Sequence, residues 1–439
     1  MSLLEIDLGS SRDWSRVSVG YEVTKKPRSI DRSAFEQIAF AAMDAIPQDG
    51  TYMPTFTMKA PGAIASGTYF EVGDLLVGKI TPSFENGKQA LIRQLSAPFG
   101  YATTEVIPLH PRSEEHDPRF LFFYLLHPDV RSFVAERMEG STGRQRVPEN
   151  VLLDLPIPFF RQDEQKTIAD CLETIQQTRT AEMKCEQLAQ DLKRAAMRAL
   201  FTKGLRGGAQ KETEIGSVPD SWDVVEFSEV RDWLQYGTST HCTYEVTAHP
   251  VLRIPNIEPG YVRPDDLKYA KFSRSEAERY LLQDGDLIFI RTNGVIERLG
   301  ACAVYAGQPE GALFASYLIR ARLKRERVEP RYVAYFYASN LGTSIVAGRA
   351  TPAADGKYNL NTGTIDNLPL PLPPTLDEQR EIVAVLDAID RKIDLHKRKR
   401  AVLDELFKSL LHKLMTGEIR VADLDLSALA TGQPDGAAA

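Results

Sequence analysis

Arginine and asparagine side chains lie beside strand-like runs at two places in the second half of this 439-residue chain. Arg253 and Asn256 belong to the segment RIPNI, and Arg291, Thr292 and Asn293 follow an apolar run. Arginine can donate two hydrogen bonds to the edge of guanine, and asparagine can form two with adenine. Each loop alone has the composition of a solvated turn, but together they carry the groups needed to read base edges.

Polar loops of similar composition occur elsewhere in the chain. Residues 79–88 (KITPSFENGK) hold the corresponding place in the first half, and two further loops precede proline-rich segments. Their glycines, basic charge and amide or hydroxyl groups suit contacts with phosphate. The candidate binding residues are therefore Lys79, Thr81, Asn86, Lys88, Arg144, Arg146, Arg253, Asn256, Arg291, Thr292, Asn293, Lys357 and Asn359.

The sequence repeats itself along its length. Trp14 begins a segment that matches the one at Trp222, and the triplet Asp-Glu-Gln that ends at Gln165 recurs at Gln379. Several such matches occur in the same order, and the distance in sequence between the copies stays nearly constant. The alternative is coincidence among common residues, against which the constant order argues. We therefore predict two related halves.

Each half is predicted to contain an α+β globule followed by a long helix. Short apolar runs between glycines and prolines indicate strands. Phe120–Phe133 and Tyr332–Ile345 each follow a proline suited to a first helical turn, and Pro128 should kink or split the first of these helices. The predicted ranges are a first globule at 1–154, a proline-rich junction and first long helix at 155–202, a linker at 203–221, a second globule at 222–367, a second junction and helix at 368–421, and a disordered tail at 422–439.

The two long helices are predicted to form an antiparallel coiled coil. A lone helix of about 40 residues would expose its apolar seam to water, so the two seams should cover each other. The short linker then requires opposite directions, with a globule at each end and a pseudo-twofold axis. The polar seam residues His396 and Arg400 either set the register or extend towards solvent. The predicted apolar seam residues are Ile168, Leu172, Ile175, Leu188 and Leu192 in the first helix, and Ile382, Leu386, Ile389, Ile393, Leu403 and Leu410 in the second.

Composition and missing motifs point away from several classes of protein. No apolar run of about 18 residues predicts a membrane span, and the first residues do not resemble a secretory signal. Four scattered cysteines without a CxxC pair suit a reducing cytoplasm. No phosphate-binding loop, GxGxxG, HExxH or GxSxG motif occurs, and His241-Cys242 has no further ligands nearby. We therefore expect a binding or scaffolding chain without a metal or cofactor of its own.

The chain resembles the specificity subunit of type I restriction–modification systems. The segments that carry the resemblance are WDVVEF from Trp222, RIPNI from Arg253, GDLIFIRTN from Gly285, and above all LPLPPTLDEQ, which ends at Gln379 and leads into the long helix. The resemblance extends from Trp14 to about residue 421. The first half departs from the pattern, because Lys79-Ile-Thr replaces the Arg-Thr-Asn triplet.

This resemblance implies two target-recognition domains that each read half of a bipartite double-stranded DNA sequence. The paired helices would set the spacing and dock two modification subunits, which use S-adenosylmethionine, and restriction subunits, which use ATP and Mg²⁺. The chain itself would be non-catalytic, within a complex that acts as a site-specific deoxyribonuclease and adenine methyltransferase. Three alternatives stay open: a coiled-coil scaffold that binds no DNA, the recognition subunit of a related system whose partner fuses cleavage and methylation, and an enzyme with an unrecognised site.

Overall fold

The computed structural model describes residues 14–48, 50–141, 143–353 and 356–424. The chain divides into two units, one formed by Met1–Cys185 with His396–Ala439 and the other by Glu186–Leu395. Each unit contains one globule and half of each long helix. The predicted mixture of helices and strands is confirmed. The predicted tail lies outside the described residues from position 425 onwards.

The first globule is built on two four-stranded sheets, ordered β2-β9-β6-β7 and β4-β3-β8-β5, while β1 pairs with β10. Its strands are β1 (Trp14–Arg16), β2 (Tyr21–Val23), β3 (Ile38–Ala41), β4 (Thr57–Lys59), β5 (Thr68–Glu71), β6 (Leu75–Gly78), β7 (Gln89–Leu91), β8 (Phe99–Ala102), β9 (Val106–Pro111) and β10 (Pro156–Pro158). Its helices are α1 (Val17–Gly20), α2 (Pro118–Leu126), α3 (Pro128–Ala135) and α4 (Glu149–Leu153), followed by the long helix α5 (Gln162–Lys203). As predicted, Pro128 splits the aromatic-rich helix into α2 and α3.

The second globule has a six-stranded sheet ordered β14-β23-β19-β21-β17-β16, with smaller sheets around it. Its strands are β11 (Gln210–Thr213), β12 (Gly216–Pro219), β13 (Asp223–Glu226), β14 (Arg231–Tyr236), β15 (His249–Leu252), β16 (Ile257–Glu258), β17 (Gly260–Val262), β18 (Lys268–Ala270), β19 (Leu287–Ile290), β20 (Thr292–Asn293), β21 (Cys302–Val304), β22 (Leu313–Phe314), β23 (Leu318–Leu323), β24 (Thr351–Pro352), β25 (Tyr358–Asn359) and β26 (Pro369–Leu372). Its helices are α6 (Phe227–Val230), α7 (Arg274–Tyr280), α8 (Pro330–Ala338), α9 (Asn340–Gly348) and α10 (Thr362–Asp366), followed by the long helix α11 (Leu376–Thr416). The predicted linker thus contains the β11–β12 hairpin.

A glutamine anchors each long helix to its globule. Gln165 in α5 accepts a hydrogen bond from Asp117 N at 3.1 Å and donates to Phe160 O at 2.8 Å. Gln379 in α11 accepts from Glu329 N at 2.8 Å, and both glutamines are buried. Buried backbone groups need such partners, so the repeated Asp-Glu-Gln triplet has the same structural role in both units.

In the first unit, the beginning of α5 packs against the end of α11. Ile168, Leu172 and Ile175 are buried in one core with Leu403 and Leu410. The prediction that the two long helices pack together is therefore confirmed.

Ion pairs give the relative direction of the two helices in this unit. Arg179 pairs with Asp404 at 2.6 Å, and Glu182 contacts His396 at 2.5 Å and Lys399 at 3.4 Å. Residue numbers therefore fall along α11 as they rise along α5. His396 is one of the two polar seam residues noted in the sequence, and it contacts the other helix rather than extending into solvent.

Two residues of the predicted seam are wrongly placed. Leu188 and Leu192 are 57% and 54% exposed. Alternating steps of four and three residues from Ile175 lead instead to Arg179, Glu182, Glu186, Ala189 and Lys193. Polar side chains occupy most of the seam there, so the leucines of this part of α5 do not mark it.

In the second unit, the end of α5 packs against the beginning of α11. Ile382 and Leu386 are buried in one core with Met197 and Leu200. Ile393 is also buried and Ile389 is half-buried. None of the helices in the described part of the chain combines the length and apolar character needed to cross a membrane.

Candidate nucleic-acid interface

Two loops that are distant in the sequence meet in the second unit. The short strand β20, which contains Thr292 and Asn293, pairs with β25, in which Asn359 lies opposite Thr292. Leu360 N donates a hydrogen bond to Arg291 O at 2.7 Å, which fixes the start of the same loop. The pairing brings together five predicted binding residues: Arg291, Thr292, Asn293, Lys357 and Asn359.

The Arg291 guanidinium is held in place by its neighbours. Its Nη1 donates to Ser316 O at 3.2 Å, and its Cζ lies 4.9 Å from the ring centroid of Tyr236. The Tyr236 hydroxyl accepts from Thr362 N at 3.2 Å, which fixes the ring in turn. Arg291 N donates to the backbone oxygen of Tyr317, a residue that is 58% exposed. An arginine fixed in this way loses less conformational entropy on binding a planar ligand edge.

The other members of this loop pair differ in their exposure. Thr292 is 8% exposed, so its side chain is buried against the protein. Asn293 Oδ1 accepts from Val295 N at 2.9 Å, and Asn293 is half-buried. Lys357 is exposed and Asn359 is half-buried. Arg291, Asn293, Lys357 and Asn359 are therefore the members of this group that a ligand can reach.

Arg253 and Asn256 make contacts within their own loop, and the burial of Asn256 corrects the sequence-based prediction for that residue. Asn256 is fully buried, accepts from Arg253 N at 2.9 Å and donates to Asp265 O at 2.7 Å. The Arg253 guanidinium pairs with the Asp266 carboxylate at 3.0 Å. These two side chains satisfy the backbone of their own loop, so their polarity serves the fold.

The first unit has a matching arrangement around Lys79. Val147 N donates to Lys79 O at 2.8 Å, as Leu360 N does to Arg291 O, and Thr81 N donates to Gln145 O at 2.9 Å. This pairing brings Lys79 and Thr81 beside the loop that contains Arg144, which is exposed, and Arg146, whose side chain is 49% exposed.

The loop from Pro82 to Lys88 supplies two further candidates. Asn86 is exposed. Lys88 Nζ donates to Met43 O at 2.6 Å, so this ammonium group already ties the loop to a neighbouring segment. The contact makes a structural role for Lys88 the simpler interpretation.

Sequence reasoning missed three residues at these sites. Glu105 accepts from Arg146 Nε at 2.8 Å and Nη2 at 2.7 Å, and these hydrogen bonds lower the pKa of Glu105, with Lys79 lowering it further. Glu105 and Tyr317 are separated in the sequence by the same number of residues as Lys79 and Arg291. This constant separation between the two halves could have identified Glu105 and Tyr317 as corresponding residues. The contact of Tyr236 with Arg291 has no local sequence signal.

One group of potential metal ligands occurs among the described residues. His127, Asp129 and His412 have ligand atoms within 4.8 Å of one another. His127 Nδ1 accepts from Asp129 N at 3.2 Å, so its proton is on Nε2, which lies 3.1 Å from His412 Nδ1. A metal ion on Nε2 would require the proton to move to Nδ1, where it would oppose the Asp129 N–H. A hydrogen bond between the two imidazoles therefore suits this geometry better than metal binding.

Burial is the main reason why the pKa of His127 falls from 6.5 to about 4; His412 contributes to the fall and Asp129 opposes it. Between pH 6.5 and 4 the unfolded chain binds a proton that the folded chain does not, so stability should fall as the pH falls through this window. The change is on the order of 3 kcal/mol. His127→Asn keeps an acceptor for Asp129 N and should remove most of this loss in thermal unfolding measured from pH 7 to 4. An unchanged pH profile in this variant would contradict the assignment.

Comparisons with known proteins find similarity to specificity subunits of type I restriction enzymes. Residues 219–405 match the family "Type I restriction modification DNA specificity domain". The specificity subunit of the type I restriction enzyme EcoKI from Escherichia coli K12 is 30% identical over 61% of this chain and 58% of its own length. The MjaVIII specificity subunit from Methanocaldococcus jannaschii is 24% identical over 74% of this chain and 76% of its own.

A solved structure shares the fold. The type I restriction-modification S subunit from M. genitalium is 12% identical, with a TM-score of 0.55 over 94% of this chain and 98% of that one. The chain spans little more than half the length of its E. coli relative. The chain is therefore similar to type I restriction–modification specificity subunits, and the match to the DNA specificity domain covers residues 219–405.

Proposed function

We propose that the chain is the DNA-recognition subunit of a type I restriction–modification complex. The observation that carries the proposal is that both units use the same backbone contacts to present different polar side chains. Lys79 and Arg291 hold corresponding positions, as do Arg146 and Asn359. A shared backbone arrangement that carries different side chains is what two domains need in order to bind two different half-sites.

We further propose that the two globules are copies of one domain, related by a pseudo-twofold axis and joined by an antiparallel coiled coil. A buried aspartate in each unit supports this relationship. Asp74 contacts His110 Nδ1 at 2.7 Å, and Asp286 contacts Arg322 Nη2 at 2.8 Å. Asp74 and Asp286 are separated in the sequence by the same number of residues as Lys79 and Arg291, and so are His110 and Arg322. Because the carboxylate in each contact is buried, with 0% of the Asp74 side chain and 2% of the Asp286 side chain exposed, the two contacts point to common descent rather than to similar surface requirements.

The long helices are the proposed docking surface for two modification subunits and for restriction subunits. In the second unit, Leu188, Leu192 and Leu395 are about half-exposed, and Val385 is 40% exposed. Their heptad positions put them on the side of the helix pair opposite Asp390, which pairs with Lys193 at 2.7 Å. A contiguous patch of exposed apolar side chains is typical of an interaction surface.

Catalysis is proposed to belong to these partners, with S-adenosylmethionine, ATP and Mg²⁺ bound by them and none by this chain. The complex would then be a site-specific deoxyribonuclease and adenine methyltransferase. A partner that fuses cleavage with methylation would use the same recognition surfaces. Because the four cysteines are free and such thiols suit a reducing compartment, the cytoplasm is the proposed place of action.

A random pool of duplex DNA, incubated with excess non-specific competitor, tests the proposal. The complete assembly should retain a small subset of duplexes, and the assembly without this chain should retain none above background. Equal retention with and without the chain would contradict DNA recognition and favour the scaffold. Nuclease or methyl-transfer activity of the purified chain alone would show that it is an enzyme.

A further inference from the structure

A carboxylate lies among the basic groups of the first unit's candidate site. Glu105 O accepts from Lys79 N at 2.8 Å, the same contact that Tyr317 O makes with Arg291 N at 3.1 Å in the second unit. The Glu105 side chain accepts two hydrogen bonds from Arg146. A negative charge therefore lies beside the groups proposed to meet DNA, and in the second unit an uncharged phenol holds the corresponding position.

An acidic side chain at such a position needs a reason, because it repels phosphate. The Glu105 carboxylate is not buried out of reach, since its side chain is 24% exposed. Arg146 uses two acceptor positions of a carboxylate that has about four. The remaining positions can accept hydrogen bonds, and in the major groove only cytosine N4 and adenine N6 are donors.

Resting on the proposed function, we infer that Glu105 is a specificity-determining residue for the half-site read by the first unit. Its carboxylate accepts a hydrogen bond from the exocyclic amino group of a base. Arg146 is a positioning residue, because its two parallel hydrogen bonds fix the plane of that carboxylate. Tyr317 at the corresponding position carries no charged acceptor, so the second unit selects its bases differently.

The test compares DNA sequences selected from a random duplex pool by the full chain with its partner subunits. Glu105→Gln keeps the side-chain shape and replaces one acceptor oxygen by a donor. It should reduce the preference for an amino-bearing base at one position by about 5-fold to 100-fold. Glu22→Gln is the matched control, because Glu22 forms a 2.8 Å surface pair with Arg112 in the same unit. The control should select the wild-type sequence.

A second variant separates positioning from charge. Arg146→Lys keeps the positive charge but loses the two-pronged contact, so it should broaden the same position as Glu105→Gln without changing the salt dependence of binding. An unchanged selected sequence with a uniform gain in affinity for Glu105→Gln would overturn the inference, because the carboxylate would then only repel phosphate. If the wild-type assembly selects no sequence, the proposed function fails and this inference fails with it.

Discussion

Replacing Leu386 by aspartate is expected to lower the free energy of unfolding by about 3–5 kcal/mol, because it leaves an unpaired charge in the core. Leu386 is fully buried with Met197, Leu200 and neighbouring side chains of the second unit. Urea denaturation of the purified chain, followed by circular dichroism, measures the change. The loss of stability should appear in the urea-unfolding transition to which the second unit contributes.

Leu188→Asp is the control for this prediction. Leu188 also lies on a long helix of the second unit but is 57% exposed, so its replacement should change the free energy by no more than about 0.5 kcal/mol. Similar losses in the two variants would contradict the seam described here. Large losses in both variants would instead support the seam predicted from the leucine spacing, which contains Leu188 as well as Leu386.

Replacing Arg291 by alanine is expected to weaken binding to the selected DNA by about 1–3 kcal/mol. The loss should fall on one base pair in one half-site, because Arg291 is fixed by Tyr236 and Ser316 for a directed contact. Arg291→Lys keeps the charge but loses the planar fork, so it should relax the same base pair. Competition binding with single-base variants of the target measures both effects.

Arg274→Ala provides the control, since Arg274 is 95% exposed on α7, where it pairs with Glu278. It should leave affinity and selectivity unchanged. If Arg291→Ala instead weakened binding equally for every sequence and lowered the salt dependence, Arg291 would contact phosphate and not a base.

Regular spacing made part of the fold predictable. The seam of α11 keeps its apolar residues at heptad intervals, and Ile382, Leu386 and Leu403 are buried as that spacing requires. The repeated triplet ending at Gln165 and Gln379 marks corresponding junctions, because the same buried backbone groups need the same amide. Each of these signals is carried by residues that are near one another in the sequence.

Properties that depend on distant partners could not be predicted in this way. Arg179 and Lys193 replace apolar residues in the α5 seam, and only their partners on α11 explain why they lie there. Asn256 had the right chemistry for reading adenine, yet its amide serves the backbone of its own loop. The type of a polar residue does not say whether its hydrogen bonds are satisfied within the fold.

The sequences that the complete assembly selects from a random duplex pool test the central claim most directly. Two unlike groups of specified bases, separated by a constant number of unspecified ones, are the predicted result. Arg291→Ala should alter one group and Glu105→Gln the other. A single continuous motif, or two groups that both change in the same variant, would contradict the claim that each unit reads its own half of the target.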